Sequence, residues 1–178
     1  MKNNTELQSN STATECRGYN KSTAVAAALC CRVPSPKNAT RYKVPIEIKM
    51  IRKAVRANII VLYKEAGWWK PEYSKDSSFI DSIVKNTYCF AGAFHKNKMI
   101  GMGRGISDGC SDAYVQDVVV LKKYRGHGIG AAIIGKIVNH LQSNGIDWIA
   151  LVAEPGSEKF YRKLGFRTMK KNIPMLLK

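Results

Sequence analysis

The stretch YRGHGIGAAIIGKIVNHL, residues 124–141, decides the fold of this chain. Gly126, Gly128 and Gly130 alternate in it, directly after Arg125 and directly before a run with helical apolar periodicity. A glycine-rich turn at the start of a helix presents free backbone amides and a favourable dipole to an anion, and it lets phosphates approach the backbone. The pattern therefore predicts a diphosphate site between a strand and a helix.

Two common phosphate loops do not fit this pattern. A Walker-type loop requires Lys-Ser or Lys-Thr after its last glycine, whereas Ala131 and Ala132 follow here. Gly126, Gly128 and Ala131 formally match the dinucleotide fingerprint, but that fold needs several βαβ units, and too little chain follows the loop to build them. A tight turn without a ligand is the alternative, although it requires neither Arg125 nor three glycines.

Length, composition and charge limit the classes of protein to which this chain could belong. A chain of 178 residues with 45% hydrophobic residues suits one soluble domain. It contains no apolar run of the ~18 residues that span a bilayer, so we expect no membrane partner. The excess of 29 basic over 13 acidic residues gives a formal charge of +16. This charge favours an anionic partner, but the basic residues are spread along the chain and do not identify it.

The five cysteines are odd in number, form no CxxC pair and lack a histidine at zinc-ligand spacing. We therefore expect no metal site and a reducing compartment, the cytoplasm. Residues 1–41 are rich in Ser, Thr, Asn and Ala and predict a disordered N-terminal extension, with an organelle transit peptide as the alternative. The globular domain is expected over residues 42–178.

Apolar periodicity and turn residues predict the order of elements. We expect a strand at 42–48, a helix at 50–66, a short helix capped by Ser77 or Ser78, a hairpin of strands 87–94 and 99–107, and a strand at 113–121. A helix at 128–144 follows the glycine turn, then a strand at 147–153, a short helix at 157–166 and a last strand at 173–178. This order predicts an α/β (α+β) fold.

The segment VQDVVVLKKYRGHGIGAAII resembles the acetyl-CoA-binding motif Q/R-x-x-G-x-G/A of the GCN5-related N-acetyltransferase (GNAT) superfamily. Arg125, Gly128 and Gly130 fill the motif in register. The segment IALVAEPGSEKFYRKLGF resembles the strand and FY-x-x-x-GF motif of the same enzymes. Residues 113–166 are most similar to small bacterial and plastid amine acetyltransferases. The resemblance implies a mixed, mostly antiparallel central sheet with splayed parallel strands, flanked by helices.

The resemblance also implies acetyl-CoA as co-substrate and no metal. Its pantetheine arm would contact the backbone of Val118, Val119 and Val120. Its pyrophosphate would meet the glycine turn, which comprises Arg125, Gly126, His127, Gly128, Ile129, Gly130 and Ala131.

Acetyl transfer to an amine requires a base for the ammonium, stabilisation of the carbonyl oxygen and a proton for the departing thiolate. The resemblance implies Tyr161 as general acid and Glu154 as base, with core packing and helix capping as their structural alternatives. Asp117 is a competing base or substrate ligand, because a charge inside a strand needs a cleft or a partner. The amide of Val119 or Val120 is the expected oxyanion donor.

Trp68 and Trp69 stand in the loop that borders the acceptor site in this superfamily, so either could line the amine pocket or pack in the core. The predicted function is therefore direct acetyl transfer from acetyl-CoA to a primary amine, small or protein-borne, with a homodimer as a further expectation. Two alternatives stay open: a basic nucleic-acid- or ribosome-associated module, and a non-catalytic acyl-CoA sensor.

Overall fold

The computed structural model describes residues 45–177, so the predicted extension over residues 1–41 lies outside the described part of the chain. The five strands are β1 (Glu47–Met50), β2 (Cys89–His95), β3 (Lys98–Ser107), β4 (Asp112–Val120) and β5 (Trp148–Ala150). The helices are α1 (Arg56–Ala66), α2 (Phe79–Asn86), α3 (Ile129–Ser143) and α4 (Glu158–Arg162), with short 3-10 turns at Pro71–Ser74 and Lys122–Tyr124.

The strands form one sheet in the order β1-β2-β3-β4-β5. The first four pair antiparallel, whereas β4 and β5 pair in parallel. This parallel pairing covers only Asp112–Tyr114 against Trp148–Ala150, and β4 then continues to Val120 paired with β3 but not with β5. The two strands therefore separate over the second half of β4. The predicted mixed α/β fold is confirmed.

Three glycines of β3 allow α3 to pack closely on one face of the sheet. A Cβ built at Gly103 would lie 2.9 Å from Ile133, and one at Gly105 would lie 3.3 Å from Ile137. Arg104, between them, points to the opposite face because side chains alternate along a strand. On that face it donates to Asp117, which also accepts a bond from Tyr63 of α1.

Helix α1 begins at Arg56, six residues later than predicted. Met50 belongs to β1, and the amide of Ile51 still donates to Phe90 O (2.9 Å). These two residues, which the apolar pattern assigned to the start of the helix, are therefore held by the sheet. Ser78 precedes α2 as predicted, but its hydroxyl donates to Asp76 and does not cap the helix.

The predicted last strand is wrong over residues 173–177, where the structure has no regular element. Ile173 is 85% exposed and Leu177 is 98% exposed, so this apolar segment does not join the sheet. None of the helices in the described range combines the length and apolar character that a bilayer crossing requires.

Candidate functional site

The glycine turn that follows β4 requires glycine for its backbone conformation. Gly126 has a φ of 79° and Gly128 a φ of 77°, both in the left-handed region that disfavours other residues. Gly128 is the N-cap of α3, and no side chain caps the helix there. The sequence thus builds an open helix N-terminus at this point.

The amides of this turn are available to a ligand. Ala132 N makes the first bond of the helix, to Gly128 O (3.0 Å). From Gly126 to Ala131, no backbone amide donates to an acceptor in the described chain. The amide of Arg125 is used within the turn, since it donates to Lys122 O (3.1 Å). A row of free amides at a helix N-terminus suits a pyrophosphate.

Arg125 and His127 shape this turn with their side chains. Arg125 Nε donates to Val120 O (2.8 Å), which ties the end of β4 to the turn. His127 is exposed, and its Nδ1 lies 2.8 Å from Arg125 O. The imidazole therefore bonds locally and turns away from the protein interior.

The backbone of Val120 faces the gap between β4 and β5. Leu121 N donates to Ile100 O (2.9 Å) on β3, and Val119 pairs with Met102. Because neighbouring residues of a strand direct their polar groups to alternate sides, Val120 directs its N–H and C=O away from β3. Of the two amides predicted as oxyanion donors, that of Val120 is the better placed.

The end of β4, the start of α3 and helix α4 meet at one point. A Cβ built at Gly130 would lie 3.2 Å from the Phe160 ring and 3.8 Å from Val120. Gly130 therefore lets α4 approach the glycine turn closely. Next to Phe160, Tyr161 packs on Ile134 and Val138 of α3, as Val118 does. Two of the predicted site residues, Val118 and Tyr161, thus share one apolar support.

Tyr161 and Glu154 influence each other electrostatically. Burial raises the pKa of the Tyr161 hydroxyl above its usual value, and the negative charge of Glu154 raises that pKa further. Glu154 is exposed, and its carbonyl accepts bonds from Ser157 N (3.0 Å) and Ser157 Oγ (2.6 Å). Its carboxylate makes no hydrogen bond to a described residue. Tyr161 also lines an open groove of about 900 Å³ between residues 147–153 and 164–174.

Trp68 and Trp69 are both half-buried and belong to one aromatic cluster with Tyr63, Tyr73 and Phe79. The rings of Tyr63 and Trp68 are 5.7 Å apart, and those of Trp69 and Tyr73 are 5.6 Å apart. Neither tryptophan is wholly core or wholly exposed. The cluster reaches β4 through Tyr63, whose hydroxyl donates to Asp117 Oδ2 (2.9 Å).

Asp117 also accepts a bond from Arg104 Nε (2.6 Å). Sequence reasoning singled out Asp117 but missed both of its partners, Arg104 and Tyr63. The available signal was Arg104 itself, a charge within the otherwise apolar strand segment MIGMGRGIS. Sequence reasoning also missed the contact of Phe160 with Gly130, because the two residues belong to different helices, α4 and α3, that are distant in sequence.

Comparison with known sequences agrees with this geometry. Residues 57–166 match the model of the acetyltransferase (GNAT) family. The uncharacterized N-acetyltransferase ycf52 of Pyropia yezoensis is 31% identical over 130 residues, which cover 68% of this chain and 72% of that protein. The chloroplastic serotonin N-acetyltransferase 2 of Oryza sativa subsp. japonica is 42% identical over 67 residues, which cover 38% of this chain and 34% of that protein.

Comparison with solved structures gives the same fold. The GNAT family protein SP0256 of Streptococcus pneumoniae superposes with a TM-score of 0.63 at 23% identity, over 74% of this chain and 96% of that one. A strand that leaves its parallel neighbour, a glycine turn with free amides and a tyrosine beside it agree with the family match over most of the domain. The chain belongs to the acetyltransferase (GNAT) family of acyltransferase enzymes.

Proposed function

We propose that this chain transfers an acetyl group from acetyl-CoA to a primary amine by direct attack. The observation that carries the proposal is the meeting of Val120, Gly130 and Phe160, which brings the open edge of β4, the free amides of α3 and the helix of Tyr161 together. A site for a diphosphate and a site for a proton donor are thereby adjacent.

The residues present fit acetyl-CoA. The amides from Gly126 to Ala131 suit its pyrophosphate, and the exposed Lys122, Lys123 and Arg125 add positive charge beside them. The edge of β4 that faces away from β3 suits an extended amide-containing arm laid along the strand. When bound, acetyl-CoA supplies the acetyl thioester that the reaction consumes.

Tyr161 is assigned the general acid. A phenol of ordinary pKa, about 10, is already protonated at neutral pH, and the raised pKa of Tyr161 keeps it so. The hydroxyl is therefore able to donate to a departing thiolate. Glu154 is assigned the base, since its carboxylate is unpaired in the described chain and close enough to Tyr161 to affect it. The amide of Val120 is assigned to the carbonyl oxygen of the acetyl group.

We infer that the acceptor is an aromatic or arylalkyl amine. In the aromatic cluster, Trp68, Trp69, Tyr73 and Phe79 offer partly exposed rings, which suit an aromatic ring or a cation. The buried Tyr63 connects these rings to β4. The name of the rice relative, a serotonin N-acetyltransferase, supports the same class. A screen should compare tryptamine-type amines with aliphatic diamines and with lysine-containing peptides.

The Tyr161→Phe variant of the full chain tests the assignment. Loss of the proton donor should lower kcat by about 100-fold or more, the range of general acid catalysis, while the Kd of acetyl-CoA stays within about threefold. Thiol release with the best amine and calorimetric titration measure the two quantities. Tyr114→Phe, which removes the hydroxyl of a partly exposed tyrosine on β4, is the matched control. A variant with unchanged kcat would contradict the role of Tyr161.

A further inference from the structure

Strand β4 is irregular at Asp117. Met102 pairs with Val119 and Arg104 pairs with Gln116, so Gly103 alone faces Asp117 and Val118 in a β-bulge. Asp117 has a φ of 52°, in the left-handed region. The other non-glycine residues with positive φ in the described range, Lys96 and Asn97, form the two-residue turn of the β2–β3 hairpin, where such angles are usual. Of these three residues, Asp117 is the one that adopts the strained left-handed conformation within a strand.

The carboxylate of Asp117 is held from two neighbouring elements. Its Oδ2 accepts bonds from Arg104 Nε (2.6 Å) on β3 and from the hydroxyl of Tyr63 (2.9 Å) on α1. The side chains of Arg104 and Asp117 are only 16% and 20% exposed. A second nitrogen of Arg104 donates to Gln116 Oε1 (3.1 Å), so the guanidinium holds two consecutive residues of β4 at the bulge.

The bulge lies where β4 leaves β5 and approaches α3. Directly after Asp117, Val118 packs on the same α3 residues as Tyr161, and Val120 follows beside Gly130. A bulge bends and twists its strand, so its conformation sets the path of the next residues. The direction of the Val118–Val120 backbone therefore depends on a strained residue that its own side chain holds in place.

We propose that Asp117 is a positioning residue, whose carboxylate, bound by Arg104 and Tyr63, fixes the bulge and thereby the Val118–Val120 backbone. The consequence for cofactor binding rests on the proposed function, whereas the ordering of the strand does not. The rival role, a base or ligand that touches the amine, requires the negative charge. The proposed role requires a left-handed backbone and an acceptor oxygen.

Substitution of Asp117 separates the two roles in the full chain. Asn tolerates the left-handed region and keeps an acceptor oxygen, but it has no charge. Ala loses the oxygen and keeps the strain. The proposal predicts that Asp117→Ala weakens acetyl-CoA binding by about tenfold and that Asp117→Asn stays within about threefold of wild type in both acetyl-CoA Kd and kcat.

Amide hydrogen exchange gives a readout that needs no cofactor. Peptides covering residues 116–121 should exchange faster in Asp117→Ala than in wild type, and Asp117→Asn should resemble wild type. If Asp117→Ala does not fold, Tyr63→Phe, which removes one of the two bonds, should show the same change to a smaller degree. Activity lost equally in Asp117→Asn and Asp117→Ala, with exchange unchanged in both, would overturn the proposal.

The outcome is also distinct from a failure of the proposed function. If wild type binds no acetyl-CoA, acetyl transfer is refuted, and the exchange comparison alone still decides whether Asp117 orders the strand.

Discussion

At the scale of single residues, two tyrosines, Tyr161 and Tyr63, have a raised pKa but different surroundings. Tyr161 lies near the carboxylate of Glu154 but makes no hydrogen bond to it, so its hydroxyl is available to a ligand. Tyr63 donates its hydroxyl to Asp117, and burial and the Asp117 charge raise its pKa far above the usual value. The hydroxyl of Tyr161 is therefore suited to a role in the reaction, whereas that of Tyr63 is occupied by its hydrogen bond to Asp117.

The state of Tyr63 predicts a loss of stability in alkali. The folded chain holds the phenolic proton more tightly than the unfolded chain, so as pH rises above about 10 the unfolded state releases its proton first. The stabilisation present below pH ~10 is then lost as pH rises toward the folded-state pKa. Tyr63→Phe should destabilise the chain by about 1.5–3 kcal/mol at neutral pH, because it removes a hydrogen bond to a charged group.

Denaturant unfolding at a series of pH values measures this effect. Above pH ~10 the stability of the variant should fall less steeply than that of wild type, because one shifted group is gone. Equal slopes in the alkaline range would show that Tyr63 does not hold its proton as described.

At the scale of elements, two glycines allow the effect of backbone strain to be distinguished from an effect on ligand binding. Gly126 in the turn and Gly145 after α3 have φ angles of 79° and 81°, and a Cβ at either would meet no atom within 4 Å. The strain of a substitution is therefore matched at the two positions, while only Gly126 belongs to the candidate cofactor site.

Gly126→Ala and Gly145→Ala should each cost about 1–2 kcal/mol of stability, the penalty of a left-handed L-residue. Only Gly126→Ala should also weaken acetyl-CoA binding, because it alone shifts the amides of the turn. Thermal unfolding and calorimetric titration of both variants make the comparison. Equal loss of affinity in the two would show that the glycine turn is not the binding site.

Local pattern was sufficient for some elements and insufficient for others. The glycine turn and the helix after it were predictable, because left-handed glycines and apolar periodicity are written in adjacent residues. The start of α1 was not, since Ile51 bonds to Phe90 across the sheet and that pairing overrides helical periodicity. The pair of Arg104 and Asp117 was hidden for the same reason, because a bulge in the register brings the two together.

At the scale of the whole molecule, most of the positive charge is not consumed by ion pairs within the described residues. The described residues contain three ion pairs, Lys49–Glu47, Arg56–Asp81 and Arg104–Asp117, and only the last is largely buried. Exposed pairs contribute little to stability, so the formal charge of +16 acts mainly as a field around the protein. Such a field attracts a CoA phosphate and a nucleic acid alike. A substitution in the glycine turn distinguishes the two, because the proposed CoA site uses the amides of that turn and general attraction to the field does not.

Calorimetric titration of acetyl-CoA into the full chain and its Gly128→Glu variant tests whether the glycine turn is the cofactor site, with a DNA duplex titrated in parallel at two salt concentrations. We expect saturable binding of acetyl-CoA with one site per chain. Gly128→Glu should abolish it, because a carboxylate at the helix N-cap repels the phosphates and strains the turn. Any binding of duplex should weaken steeply with salt and be indifferent to Gly128→Glu. Absence of acetyl-CoA binding to wild type would refute a cofactor site in this chain, and equal binding to both proteins would show that the glycine turn does not hold the cofactor.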